Sequence, residues 1–102
     1  IKKELSAKII NETSNILVFN DINPQAEKHL LLIPKIHIKS ALDIDSENIY
    51  YYSEMLLMAK DIVKSDVEYG NNFKLLINTG LEAGQTVFHF HMHLLYGKIF
   101  KI

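Results

Sequence analysis

Apolar and polar positions change rhythm along this chain, and each change marks an element. Residues 7–10 (AKII) and 15–20 (NILVFN) are short apolar runs on either side of polar Asn-Glu-Thr-Ser, the pattern of two strands joined as a hairpin. DINPQAEKH reads as a loop, because Pro24 forces an extended Asn23 before it. HLLLIP (29–34) is apolar and stopped by Pro34, which predicts a buried strand. A connection, KIHIKSALDID, leads to Asp45-Ser-Glu-Asn, which offers N-caps for a helix running to about residue 66. Ile49, Tyr52, Leu56, Ala59 and Val63 recur at spacings of three and four and are expected to face the core. The tyrosines at 50–52 and Met55 and Met58 read as packing. Gly70, Asn71 and Asn72 mark a turn, FKLLIN (73–78) a strand, TGLEAGQT a loop and VFHFHMHLLY (87–96) a last strand. The order ββ-β-α-β-β predicts an α+β fold, an antiparallel sheet of about five strands covered by one long helix.

The last strand is where chemistry enters. A strand alternates its faces, so His89, His91 and His93 are expected on one face with Val87 and Leu95 at its ends. Phe88, Phe90, Met92 and Leu94 would form the opposite, wholly apolar face and pack beneath the helix. Same-face neighbours lie ~7 Å apart, close enough for their imidazoles to act on one bound group. Three satisfied polar side chains on a sheet face would produce the same pattern. So would zinc ligation by His-x-His, although that needs further ligands and the one acidic residue near the triplet is Glu82. A pH sensor is a third reading. The fourth is nucleophilic and acid–base catalysis on phosphate, and the preceding loop favours it. Gly84 permits close backbone approach, successive N–H groups can form an anion nest, Thr86 adds a hydroxyl and Asn78 an amide. Donors with neutral imidazoles equip a site for nucleotidyl transfer without a metal. An imidazole titrating near 6.5 offers a free nitrogen as nucleophile at neutral pH, and a second, protonated one can serve the leaving group.

Composition narrows the classes. The 102 residues fit a single domain spanning 1–102. The net charge is -1 with no basic block, which argues against a nucleic-acid binder. Lys2, Lys3, Lys98 and Lys101 read as solvated surface. Cysteine is absent, which excludes disulfides and thiolate metal sites and fits a reducing compartment. No apolar run approaches the ~20 residues that span a bilayer, and IKKELSAKII carries no signal-peptide pattern. A cytoplasmic protein without membrane contact is expected.

The run His89-Phe-His-Met-His-Leu-Leu95 resembles the motif of the histidine triad (HIT) family, His-φ-His-φ-His-φ-φ with φ apolar. FNDINPQAEKHLLLIPKIH (19–37) resembles that family's other block, F-x-D-I-x-P-x-A-x-x-H-x-L-x-I-P-x-x-H. Matching segments run from about residue 5 to 97. The resemblance implies a HIT-like α+β fold and a nucleotide-binding hydrolase or transferase, usually a homodimer. It implies that His91 attacks the α-phosphorus and becomes a nucleotidyl-histidine. His89 and His93 would orient it, contact phosphate and assist the leaving group, with His29 as a fourth member. Asn78, Gly84, Gln85 and Thr86 match phosphate-binding positions. Phe19, Asn20, Asp21, Ile22 and Leu31 match the nucleoside pocket, with Asp21 accepting from the ribose hydroxyls. The chain looks most like the Hint branch, the purine nucleoside phosphoramidases, which implies a purine nucleotide ligand and neither cofactor nor metal. It departs from that branch at Tyr96-Gly97-Lys98, where Gly-Gly-Arg is usual, and at Thr86, where serine is common. Glu82-Ala-Gly-Gln-Thr-Val is closer to the fragile-histidine-triad branch, so a dinucleoside polyphosphate hydrolase is the alternative enzyme. A non-catalytic nucleotide-binding interaction protein is the alternative outside catalysis.

Overall fold

The computed structural model describes residues 9–100. The chain forms β1 (Ile9–Glu12), β2 (Ile16–Asn20), β3 (Ala26–Pro34), α1 (Ile49–Ser65), β4 (Phe73–Leu76) and β5 (Met92–Ile99). The strands make one sheet in the order β1-β2-β3-β5-β4, with every neighbouring pair antiparallel. This is the expected α+β architecture. Ala7 and Lys8 of the first expected strand, and Lys2, Lys3 and Lys101, lie outside the described residues.

One face of the sheet carries the helix. Ile16, Val18, Leu30, Leu32, Met92, Leu94 and Tyr96 from the strands meet Tyr51, Met55, Ala59 and Val63 from α1. The expected stripe is rotated. Tyr51 and Met55 are buried, whereas Ile49 and Leu56 are 42% and 39% exposed. Residues 51, 55, 59 and 63 form one ridge of spacing four, and Ile49 and Leu56 sit roughly 80–100° round the helix from its centre. The helix starts at Ile49 with Asn48, the last of the four expected capping residues, at its N-cap, although the Asn48 side chain makes no cap bond. Asp45 Oδ1 accepts from the N–H groups of Glu47 (2.9 Å) and Asn48 (3.0 Å), so this carboxylate closes a turn ahead of α1. Glu54 anchors the helix to the β1–β2 turn, accepting from Thr13 Oγ1 at 2.6 Å and Asn15 Nδ2 at 3.0 Å. Those bonds hold its carboxyl below the usual range, that from Thr13 contributing most.

Among the described residues, no α-helix lies over the other face. Across it run two rows of cross-strand neighbours. One is Phe19, Leu31, His93 and Leu76; the next is Asp21, His29, Leu95 and Lys74, with the Asp21 N–H donating to the His29 carbonyl. The largest departure from the alternating pattern is at the end of this face. β5 begins at Met92, and Val87–His91 are not in a strand. Phe90, Met92 and Leu94 are buried as expected, but Phe88 is not: it is 38% exposed, with Lys39 Nζ 5.9 Å from its ring centroid.

Candidate active site

A cavity of about 610 Å³ opens on the helix-free face, a size suited to a small organic ligand. Phe19, Asn20, Asp21, Ile22 and Leu31 line one side of it. Asn78, Gly84, Thr86 and His91 line another, with His29 and His93 also on its wall. Two sequence-predicted residues, His89 and Gln85, do not line it.

The hydrogen bonds assign the imidazole protons. The Gln25 N–H donates to His29 Nδ1 at 3.0 Å, so the proton of neutral His29 is on Nε2. That nitrogen lies 2.9 Å from His93 Nδ1 and 3.4 Å from Asp21 Oδ2. His93 Nδ1 is therefore an acceptor, and its own proton is on Nε2. Burial pushes His93 down to about 4, with repulsion from His91 and His29 adding to the effect and Asp21 opposing it. His29 is lowered by burial too, again against the attraction of Asp21. Both rings are neutral at pH 7. His91 Nδ1 donates to the His89 carbonyl at 2.8 Å, which leaves the Nε2 lone pair of His91 free. The rings of His91 and His93 are 5.1 Å apart at 66°.

His89 leaves the histidine face because its segment leaves the sheet. Its ring is buried, and Nε2–H donates to the Pro34 carbonyl at 2.9 Å. It meets the His37 ring edge-on at 5.3 Å. Burial lowers its proton affinity, the Pro34 bond opposes this, and His37 reinforces it. A second tie, the Phe90 N–H to the Ile38 carbonyl, fixes the same segment against the chain beyond β3. His89 thus holds His91 through its backbone and touches the cavity only through that neighbour. Gln85 is likewise spent inside the fold. It is 1% exposed, its Oε1 accepts from the Gly80 N–H at 2.9 Å, and its Nε2 donates to the carbonyls of Lys39 (2.9 Å) and Val87 (3.1 Å). Expected as a phosphate ligand, it instead braces the loop that presents Gly84 and Thr86. Gly84 has φ 97°, and a Cβ there would meet Asn78 Nδ2 at 3.3 Å. Only glycine brings this backbone so close to Asn78, whose Nδ2 donates to the Ala83 carbonyl at 2.7 Å.

The family model described as "Scavenger mRNA decapping enzyme C-term binding" matches residues 1–99. An uncharacterised HIT-like protein of Synechocystis is 42% identical over 99% of this chain and 88% of its own. The chain belongs to the histidine triad family. Within HIT proteins it falls with the Hint-like branch. The purine nucleoside phosphoramidase of Escherichia coli is 34% identical over 96% of this chain and 82% of its own length. A HIT family hydrolase from Legionella pneumophila superposes with a TM-score of 0.86 at 36% identity, covering 95% of this chain and 87% of that one. A histidine triad protein from Clostridium difficile gives 0.85 at 32% identity, covering 99% and 86%.

The HIT cavity also contains residues outside the two motifs. Lys74, Leu76 and Val87 line it, beside Leu95 at the end of the triad motif. Alternation along β4 was the available signal, since it places Lys74, Leu76 and Asn78 on one face. Three groups that could together hold a metal ion are Asp21, His29 and His93, whose ligand atoms lie within 4.8 Å of one another. His91 is not in that set. A metal there would displace the His29–His93 hydrogen bond. Among the described residues, no helix is long and apolar enough to cross a membrane.

Proposed function

We propose that this HIT protein hydrolyses purine nucleoside phosphoramidates through a nucleotidyl intermediate on His91. The observation that carries the reading is the His91 Nδ1–His89 carbonyl bond, which leaves Nε2 as a free nucleophile in a cavity also lined by Asn78, Gly84 and Thr86. The nucleoside lies over Phe19, Leu31 and Ile22, and Asp21 accepts from the ribose hydroxyls. Nε2 of His91 attacks the α-phosphorus, the P–N bond to the amine breaks, and the amine departs with an added proton. Water then attacks phosphorus, the P–Nε2 bond breaks, and the water's second proton returns to the site. The products are a nucleoside monophosphate and a free amine. Burial keeps His93 neutral, and the negative charge of a bound phosphate favours its imidazolium, so it takes up a proton as substrate binds. The added proton sits on Nδ1, 3.8 Å from Asp21 Oδ2, and the one already on Nε2 serves the leaving nitrogen.

Substrate choice follows from the charge of the leaving group. A dinucleoside polyphosphate leaves as a highly charged anion, and Lys74 is the one cationic side chain among the described residues of the cavity wall. We expect kcat/KM for adenosine 5′-phosphoramidate, measured with EDTA present, to exceed that for diadenosine triphosphate by at least ~100-fold. Equal or reversed values place the protein with the polyphosphate hydrolases. Nucleotide binding without turnover of either makes it an interaction module. Loss of activity in EDTA, restored by zinc, makes the metal reading the better one.

A homodimer completes the reading. β4 is at the edge of the sheet with one side unpaired, and Phe73 on it is 42% exposed. On α1, Tyr50 and Leu57 are 51% and 57% exposed. Light scattering at micromolar concentration is expected to give the mass of a dimer, and a monomer mass would remove this element.

A further inference from the structure

The loop beside the phosphate end of the cavity spends most of its backbone donors on itself. The Ala83 and Gly84 N–H groups donate to the carbonyls of Gly80 (3.2 Å) and Leu81 (3.0 Å). The Gln85 N–H donates to the Gly80 carbonyl at 3.0 Å. Donors already paired inside the fold are not open to an anion. The next N–H, that of Thr86, has no protein acceptor among the described residues. The nest of successive N–H groups expected from the sequence is thereby reduced to Thr86, which offers its N–H and its hydroxyl.

Gln85 holds that residue from both sides. Ahead of Thr86, its Oε1 accepts from the Gly80 N–H at 2.9 Å, so Gly80 and Gln85 are tied in both directions. Beyond Thr86, its Nε2 donates to the Val87 carbonyl at 3.1 Å, which closes a ring around Thr86. The other Nε2 proton fastens this ring to the Lys39 carbonyl at 2.9 Å. The side chain is 1% exposed, so water does not compete for these bonds. The arrangement needs an amide. Its oxygen meets an N–H and its nitrogen meets two carbonyls, whereas a carboxylate would set its second oxygen against both carbonyls. Val87 lines the cavity, and a Val87 carbonyl released from Gln85 is free to turn its negative end toward a bound phosphate.

We propose that Gln85 sets the affinity of this site for phosphate by orienting Thr86, without touching the phosphate itself. It is a positioning residue, and its effect passes through Thr86. The inference rests on the reading above that phosphate lies against Asn78, Gly84 and Thr86, and it requires nothing of the leaving group.

The test compares AMP with adenosine by isothermal titration, in which stoichiometry reports the folded fraction and Kd reports the site. Gln85→Glu is expected to weaken AMP binding by about tenfold or more, the scale of one charge-assisted hydrogen bond, and to leave adenosine binding unchanged. Thr86→Val is expected to weaken AMP selectively as well. The double variant is expected to lose little beyond Gln85→Glu alone, because both changes act on one contact. Equal weakening of AMP and adenosine, or losses that add, would make Gln85 a general brace and overturn the inference. Gln85→Met takes the place of Gln85→Glu if the latter is not recovered. Amide resonances of the intact protein give a reading that no variant can spoil. AMP, and not adenosine, is expected to shift the Thr86 amide strongly and to leave those of Gly84 and Gln85 near their free positions. A Thr86 amide that AMP does not move, or large shifts at Gly84 and Gln85, likewise overturns the inference while AMP binding stands. An intact protein that binds AMP no better than adenosine overturns the placement of phosphate and this inference together.

Discussion

Replacing His91 by alanine is expected to lower turnover of adenosine 5′-phosphoramidate by roughly 10⁴-fold or more, the scale of losing a covalent nucleophile. The fold is expected to survive. His91 belongs to neither the hydrophobic core nor a strand, and its ring makes one hydrogen bond, to the His89 carbonyl. Losing that bond costs about 1 kcal/mol, a small fraction of a domain's stability. Circular dichroism and a melting curve on the same sample separate a chemical defect from an unfolded one. His91→Gly with added imidazole is expected to recover part of the rate, because the missing function is a lone pair rather than a packing surface. A rate near wild type for His91→Ala would put the nucleophile elsewhere. Rapid quench and mass measurement of the intact protein add an independent readout, since the nucleotidyl adduct is expected on wild type and absent from the alanine variant.

The second large effect is on stability against pH. Burial holds folded His93 near 4, whereas an unfolded histidine titrates near 6.5. Between those values the unfolded chain binds a proton that the folded chain does not. Stability therefore rises with pH through that window, is complete above about 6.5, and is lost as pH falls toward 4. The difference for His93 amounts to about 3 kcal/mol. His29 and His89, both lowered by burial, act in the same direction. Glu54 adds to the loss at the acid end, because its lowered carboxyl must be protonated away from Thr13 and Asn15. Urea midpoints at pH 7.0, 5.5 and 4.5 are expected to fall steadily, and to fall less steeply in His93→Gln. A midpoint that stays level across that range would mean that His29 and His93 are not buried as a neutral pair.

Much of this molecule is legible in its amino-acid pattern. Apolar runs of strand length, the stop at Pro34 and the long helical stretch predict the sheet and helix, because burial acts on periodicity. Of the residues that the family resemblance marks, Asp21, His29, Asn78, His91 and His93 all line one cavity. Where the reading failed, the chain had left regular structure. Alternation assigned His89 to the same face as His91, and the family resemblance matched Gln85 to a phosphate-binding position. Spacing fixes which way a side chain points only while the backbone keeps one repeat. From Val87 to His91 the backbone instead follows hydrogen bonds to Pro34 and Ile38, some fifty residues earlier in the chain. Those bonds turn His89 inward, and Gln85 is drawn in by Gly80, Lys39 and Val87. The same limit applies to protonation. Three histidines at every second position are chemically alike in the sequence. Only the folded chain distinguishes them, giving Pro34 to His89, the His89 carbonyl to His91 and His29 to His93, because a proton's position depends on its partner across space.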